Sequence, residues 1–203
     1  HAEYHPFFQE YVSTYGYYDL FIVDKDGDIV YTVYKEDDFA TNLVDGPYAN
    51  ENIAAAFQQP ITEGDTDFTM IEDFAYYTPS GAPASFIATP IFAGGMAGGE
   101  LLGALIMQMP IDRLNTIMQE NTGLGETGET YLVGSDGFWR SDSRFLDELG
   151  TESTILNPEF TVDTVASRSA FAGEHGTEVI EDYNGHEVLS SWGPMVIQEP
   201  TAL

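Results

Sequence analysis

The sequence predicts a mixed α/β (α+β) chain in which one small antiparallel-sheet module is built twice on a frame of helices. Three observations carry this. An apolar run, an Asp-Gly pair and a second apolar run at Phe21-Ile22-Val23-Asp24-Lys25-Asp26-Gly27-Asp28-Ile29 recur at Tyr131-Leu132-Val133-Gly134-Ser135-Asp136-Gly137-Phe138-Trp139. Asp-Gly between such runs marks a hairpin, because a tight type I′ turn needs positive φ. Each copy is followed by a stretch with helical spacing and then by antiparallel strands. Finally, 203 residues at 43% hydrophobic and 13% aromatic supply the core of one large domain or two small ones, and exclude disorder.

The elements follow in order. Ala2 to Thr14 is read as a helix, with Tyr4, Phe7, Phe8 and Tyr11 at helical spacing and Pro6 in its first turn. After the first hairpin, Asn50 to Phe57 is an alanine-rich helix opened by a capping residue. Phe68 to Tyr77, Ala84 to Phe92 and Leu101 to Met109 are three antiparallel strands, the first two joined by Pro79-Ser80-Gly81 and the last two by a glycine-rich turn. Ile111 to Gln119 is a linker helix, with Asp112 near its start and Ile111, Leu114, Ile117 and Met118 on one face. A glycine-rich stretch then leads into a strand at Glu129 to Val133, a helix at Val162 to Phe171, and a hairpin of Thr177 to Tyr183 and Glu187 to Trp192 across Asn184-Gly185. Met195-Val196-Ile197 begins a further strand. Both halves thus share the order hairpin, helix, antiparallel strands, which is the PAS-like pattern. The expected divisions are an N-terminal helix and lead-in over 1–19, one module over 20–110, the linker over 111–122 and a second module over 123–203.

No segment approaches the roughly 18 apolar residues of a membrane span, the longest run being Leu101 to Met109 with Gln108 inside it. No signal-peptide pattern stands at the start. The chain begins within a helix and stops within a strand, so it reads as a soluble portion of something longer.

Charge excludes whole classes of partner. Six basic against 34 acidic residues give a formal net charge of −28. Nucleic acid needs clustered Lys and Arg, and an anionic membrane surface would repel this chain. The charge fits a self-repelling surface in a screening, salty medium. Without cysteine there is no disulfide scaffold, thiol chemistry or Cys-ligated metal.

The remaining motifs point to no catalysis, metal or cofactor. Gly123, Gly125 and Gly128 match G-x-G-x-x-G, but here a helix precedes and a strand follows, the reverse of what a dinucleotide site needs. Asp24, Asp26 and Asp28 imitate a calcium loop, yet its sixth and twelfth places hold Ile29 and Lys35. His1 and His5 share helical ligand spacing only at the chain terminus, and His175 and His186 merely flank turns. The serines of Arg140-Ser141-Asp142-Ser143-Arg144 have no base marked in the sequence, and no G-x-S-x-G or H-E-x-x-H occurs.

The tyrosines stand out. Eight of the twelve lie between Tyr15 and Tyr77. Neighbours on a strand face opposite ways, so one of Tyr76 and Tyr77 points inward, where its hydroxyl needs a partner. Lys35 is one of two cations in the first module; it either holds a ligand carboxylate or relieves local acidic repulsion.

These residues reach a known family. Gly16-Tyr17-Tyr18-Asp19-Leu20-Phe21-Ile22-Val23, Gly81-Ala82-Pro83-Ala84-Ser85-Phe86 and Gly123-Leu124-Gly125-Glu126-Thr127-Gly128-Glu129-Thr130-Tyr131-Leu132-Val133-Gly134, the last continuing into Arg140 to Arg144, resemble the double Cache sensor domains, above all those of methyl-accepting chemotaxis proteins. The resemblance runs from about residue 4 to 197. It implies a long N-terminal helix rising from the membrane, a membrane-distal module that binds a small organic ligand, and a membrane-proximal module. It further implies flanking transmembrane helices, a homodimer, and a periplasmic or extracellular placement at the cell membrane. The output is then chemotaxis, or alternatively a histidine kinase or membrane-bound cyclase; a secreted hydrolase and an adhesive ectodomain are the rival classes. The amino-acid-binding subgroup carries Arg ahead of Pro-Trp and Asp before Pro-x-Asp, whereas this chain has Gly46 before Pro47-Tyr48 and Gln108 before Pro110-Ile111-Asp112. Both charged anchors are missing. The ligand site is therefore expected in the first module, walled by Tyr48, Tyr77, Phe86 and Gln108, with Lys35 and Asp73 as polar contacts, and Tyr76 replacing Tyr77 if the strand phase is reversed. Such walls suit a small organic molecule, or a cation held on ring faces.

Overall fold

A computed structural model of the chain describes residues 2–63, 66–95 and 98–195. They form two compact units, His1–Ile111 and Asp112–Leu203.

In the first unit, helix α1 (His5–Tyr15) accepts Pro6 in its first turn, where the missing N–H would have no helical partner. Gly16 ends it in the left-handed conformation (φ 72°), its N–H donating to the Val12 carbonyl. Strands β1 (Asp19–Asp24) and β2 (Ile29–Thr32) form the first hairpin. Asp24 Oδ1 accepts the N–H groups of Asp26 and Asp28 at 3.0 and 2.9 Å, so this acidic run is a hydrogen-bonded turn. Helix α2 (Asn52–Glu63) follows, then β3 (Met70–Tyr77), β4 (Ala82–Phe92) and β5 (Leu101–Pro110). The five strands pair antiparallel in the order β2-β1-β5-β4-β3.

Alternation along the strands gives this sheet two buried faces. On one, Phe21, Val23, Ile106, Phe86 and Met70 pack under Ile53, Ala56 and Phe57 of α2 and under Leu43 of the 33–51 segment. On the other, Leu20 and Val33 pack against Val12 of α1, with Phe8, Tyr11 and Tyr31 at the margin. The sheet is thus covered by α1 on one side and by α2 with the 33–51 segment on the other.

In the second unit, α3 (Ile111–Met118) begins at the junction, α4 (Leu146–Leu149) is a single turn, and α5 (Val165–Phe171) opens with a reciprocal cap between Thr164 and Ser167. The last hairpin is β6 (Gly176–Glu181) and β7 (Glu187–Trp192), turned by Gly185 at φ 82°. Because the units divide after Ile111, the linker helix goes with the second unit, where Asn115 and Gln119 both bond to Asp142. The strand expected over Glu129 to Val133 is reduced to isolated bridges: Val133 with Trp139, Phe138 with Thr161 and Trp139 with Ile155. The Arg140 guanidinium fills the space inside this turn, donating to Phe138 O (2.9 Å) and Asp136 Oδ2 (2.8 Å), and a Cβ at Gly134 would strike it. The further strand expected from Met195 involves Val196 and Ile197, outside the described residues, as is His1 of the His1–His5 pair. Among the described residues no helix is long and apolar enough to cross a membrane.

Candidate functional site on the first unit's inner sheet face

The face of the sheet under α2 is apolar at its centre and polar at one end. Register fixes why. Gln108 on β5 lies opposite Asp19 on β1 and opposite Phe86 on β4, so all three side chains share that face. Tyr77, at the end of β3, points the same way and is fully buried, while Tyr76 is exposed. The Tyr77 ring meets Phe86 edge-on at 5.0 Å between centroids, and Tyr48 stands 6.4 Å beyond it. The structure therefore brings together Tyr48, Tyr77, Phe86 and Gln108.

It places the other two candidates elsewhere. Lys35 Nζ lies 5.6 Å from the centroid of the Tyr31 ring, and Tyr31 belongs to the face that α1 covers. Asp73 is exposed on β3, beside the bulge between Glu72 and Ala75, and its carboxylate accepts the Phe74 N–H at 2.7 Å.

Polar groups that the sequence did not single out fill the end of the face instead. The Tyr77 hydroxyl donates to Asp38 Oδ2 at 2.6 Å, and the Tyr18 hydroxyl donates to Glu36 Oε1 at 2.6 Å. The Tyr18 N–H in turn donates to the Gln108 carbonyl at 2.8 Å. Gln108 Nε2 reaches Ser80 Oγ in the β3–β4 turn at 3.0 Å. Asp38 is completely buried and Gln108 is 3% exposed, yet Asp38 Oδ1, Glu36 Oε2, Gln108 Oε1 and Asn52 Oδ1 have no hydrogen-bond partner among the described residues. The fold turns two carboxylates of the Glu36-Asp37-Asp38 run inward. Non-glycine residues with positive φ bracket the run, Lys35 at 55° and Ala40 at 63°. Backbone conformations of that kind cluster where a loop is held for a ligand.

The electrostatics follow from this burial. Desolvation raises the Asp38 carboxyl above the usual range, helped by the Glu36 charge, although the Tyr77 hydroxyl works against it. Burial likewise raises the Tyr77 hydroxyl well beyond its ordinary value, with Asp38, Glu51 and Glu36 adding to the rise. Tyr18 is pushed up to about 12, first by its bond to Glu36. Asp19 is different in kind. Its Oδ1 accepts the N–H groups of Leu20 and Val33 at 2.6 and 2.8 Å, so it is a structural clasp between β1 and the start of the 33–51 segment.

The second unit offers a cleft lined by Asn115, Gln119, Asp142, Ser143, Arg144, Leu146 and Asp147. Its polar atoms serve one another. Asp142 accepts from Asn115 at 2.8 Å, from Ser153 at 2.6 Å and from the Thr154 N–H at 2.9 Å. The glycine run there is clasped by the Arg144 guanidinium, which donates to the carbonyls of Gly125 and Gly128. Among the described residues no cluster of three His, Cys, Asp or Glu could hold a metal.

No family model matches the sequence, and no curated protein matches it. Solved structures do match its fold. The ligand-binding domain of the Campylobacter jejuni chemoreceptor Tlp3, solved with L-norvaline, is 14% identical with a TM-score of 0.59, over 91% of this chain and 63% of that one. The extracellular domain of mmHK1S-Z2, named as a histidine kinase, is 16% identical with a TM-score of 0.56, over 95% of this chain and 76% of that one. An extracellular ligand-binding receptor from Desulfohalobium retbaense is 14% identical with a TM-score of 0.52, over 80% of this chain and 26% of that one. With the five-stranded antiparallel sheet held between helices, these matches give the chain the PAS-like fold of the Cache-type sensor domains found in chemoreceptors and histidine kinases.

Proposed function

We propose that this chain is the extracytoplasmic small-molecule-binding portion of a transmembrane signalling receptor, of the chemoreceptor type, and that it carries no catalysis. The observation that supports this most is the inner face of the first unit: three aromatic rings beside buried polar atoms that have no partner among the described residues. A small organic molecule completes such a site. The fold's occurrence in both chemoreceptors and histidine kinases keeps a kinase-coupled output as the second reading.

Tyr48, Tyr77, Phe86 and Gln108 form the binding wall in this reading, and Glu36 and Asp38 replace Lys35 and Asp73 as polar contacts. A ligand under the 33–51 segment biases α1, on the opposite face of the same sheet, only through its differential affinity for two arrangements of the unit. The exposed Phe7 and Tyr15 of α1, with Tyr4 just ahead of it, fit a helix that pairs with a second copy in the intact receptor.

A thermal-shift screen of small metabolites tests the proposal. A sensor gives one saturable ligand that raises the melting temperature. That binding is lost in Tyr48→Ala and Gln108→Ala and kept in Trp192→Ala. Turnover of chromogenic ester or glycoside substrates, with no stabilising ligand, overturns the sensor reading. Loss of binding only in Trp192→Ala moves the site to the second unit.

A further inference from the structure

Resting on the sensor reading above, the geometry points to an organic cation as the ligand, an amine or ammonium compound without a carboxylate, held between the free oxygens of Glu36, Asp38 and Gln108 and the rings of Tyr48, Tyr77 and Phe86.

The unpaired atoms carry the argument. Among the described residues of the first unit, the buried side-chain polar atoms that lack a partner are oxygens: Glu36 Oε2, Asp38 Oδ1, Asn52 Oδ1 and Gln108 Oε1. The Asn52 orientation is fixed by its own amide, whose nitrogen donates to the carbonyls of Ala84 (2.8 Å) and Asp73 (3.1 Å). A buried acceptor without a donor costs free energy, so the complementary ligand is rich in N–H donors.

These atoms belong to one neighbourhood. The carboxylates of Asp38, Glu51 and Glu36 all act on the Tyr77 hydroxyl, and Asp37, Asp38 and Glu51 act on Tyr48. Gln108 joins them through Ser80 in the turn after Tyr77 and through the Tyr18 backbone, while the Tyr18 hydroxyl holds Glu36. Gln108 is no part of the acidic run, so its unpaired, buried amide atom is an independent sign that this end of the face receives a polar ligand group.

Charge decides against anionic ligands. The first unit has two cations, Lys25 and Lys35. Lys25 is exposed on Asp26, at 3.0 Å, and Lys35 sits over Tyr31 on the far face of the sheet. A ligand carboxylate would thus enter a desolvated site with Glu36 and Asp38 and meet no cation. An ammonium group gains from the same carboxylates and from the π faces beside them.

Calorimetry on the 203-residue chain tests this, in about 1 M NaCl, where the Debye length is about 3 Å and surface attraction is screened. The probes are isobutylamine, phenethylamine and putrescine, set against isobutyramide, phenylacetamide, isobutyrate and phenylacetate. At least one cation binds with one-to-one stoichiometry, and the amides and carboxylates do not. Glu36→Gln, which keeps an acceptor for Tyr18, and Gln108→Leu each weaken that binding about tenfold or more, as expected for a lost charge-assisted or buried hydrogen bond. The exposed Glu178→Gln in the second unit, an equal charge change, leaves it unaltered, and circular dichroism confirms that all variants fold. Cation binding indifferent to Glu36→Gln and Gln108→Leu overturns the inference. Saturable binding of the amides or carboxylates, lost in Gln108→Leu, overturns the cation and leaves the sensor reading standing. Binding of no probe of any charge overturns the inference, and a blank in the wider metabolite screen then removes the sensor reading as well.

Discussion

Tyr77 shows how one side chain joins core and site. Its ring packs edge-on against Phe86 while its hydroxyl is spent on Asp38, a carboxylate with no access to water. Tyr77→Phe keeps the ring and strips Asp38 of that donor, so it should lower the unfolding free energy by about 1–3 kcal/mol in urea titration. Asp19 makes a pH prediction of definite sign. Desolvation, partly offset by the N–H groups of Leu20, Val33 and Tyr34, raises it from 3.8 to about 6. The folded state therefore holds the Asp19 proton more tightly than the unfolded state does. Its stabilising effect is complete below pH 3.8 and is lost as pH rises to about 6, a change of about 3 kcal/mol. Asp38 and Glu72, also raised by burial, add to the same slope. Denaturant titrations should find the protein more stable at pH 5 than at pH 7, with a visibly smaller difference in Asp19→Asn.

Among the elements, β5 is the one on which the first unit depends. It pairs with β1 on one side and β4 on the other, and it carries Gln108 to the site. Gly103 makes the β1 pairing close: it lies opposite Asp24, and a Cβ there would strike the Val23 carbonyl. Gly103→Ala should destabilise the protein by about 2–4 kcal/mol, since backbone on both sides must move. It should also weaken ligand binding by disturbing the β1–β5 register near Asp19 and Gln108. Thermal melts and ligand titration of the same variant check both outcomes. Among the described residues, the second unit's equivalent hairpin has no such partner strand, and its ladder consists of single bridges around the buried Trp139 and Arg140.

For the whole molecule, a net charge of −28 against six cations sets the dependence on salt. Self-repulsion of the compact state is long-ranged at low ionic strength and screened as the Debye length falls from about 10 Å at 0.1 M to about 3 Å at 1 M. The melting temperature should rise steadily with NaCl over that range, and KCl should reproduce the rise. A flat response in calorimetry would mean that surface repulsion contributes little to the stability of this chain.

Local features were legible along the chain. Apolar runs between turn signals marked the strands of the first unit, Asp-Gly and Asn-Gly marked the hairpins, and helical spacing marked α1, α3 and α5 to within a few residues, while α2, expected over Asn50 to Phe57, continues to Glu63. The sequence also put Tyr77 and Phe86 on paired strands beside one turn and Gln108 on the last strand of the unit, and the register sets Gln108 opposite Phe86. The polar end of the candidate site emerges only when the chain packs. Glu36 and Asp38 lie in a loop, where no period predicts which way a side chain turns, and burial inverts the ordinary reading of an acidic run as a solvated surface. Lys35 went the other way for the same reason: its left-handed backbone leads the side chain to Tyr31, across the sheet from the rings it was expected to join. That the second hairpin is held by single bridges was equally hidden, since a local sequence match says nothing of how far the pairing extends. Periodicity reports contacts within an element; the contacts that make a binding site run between elements, and those are fixed only when the chain packs.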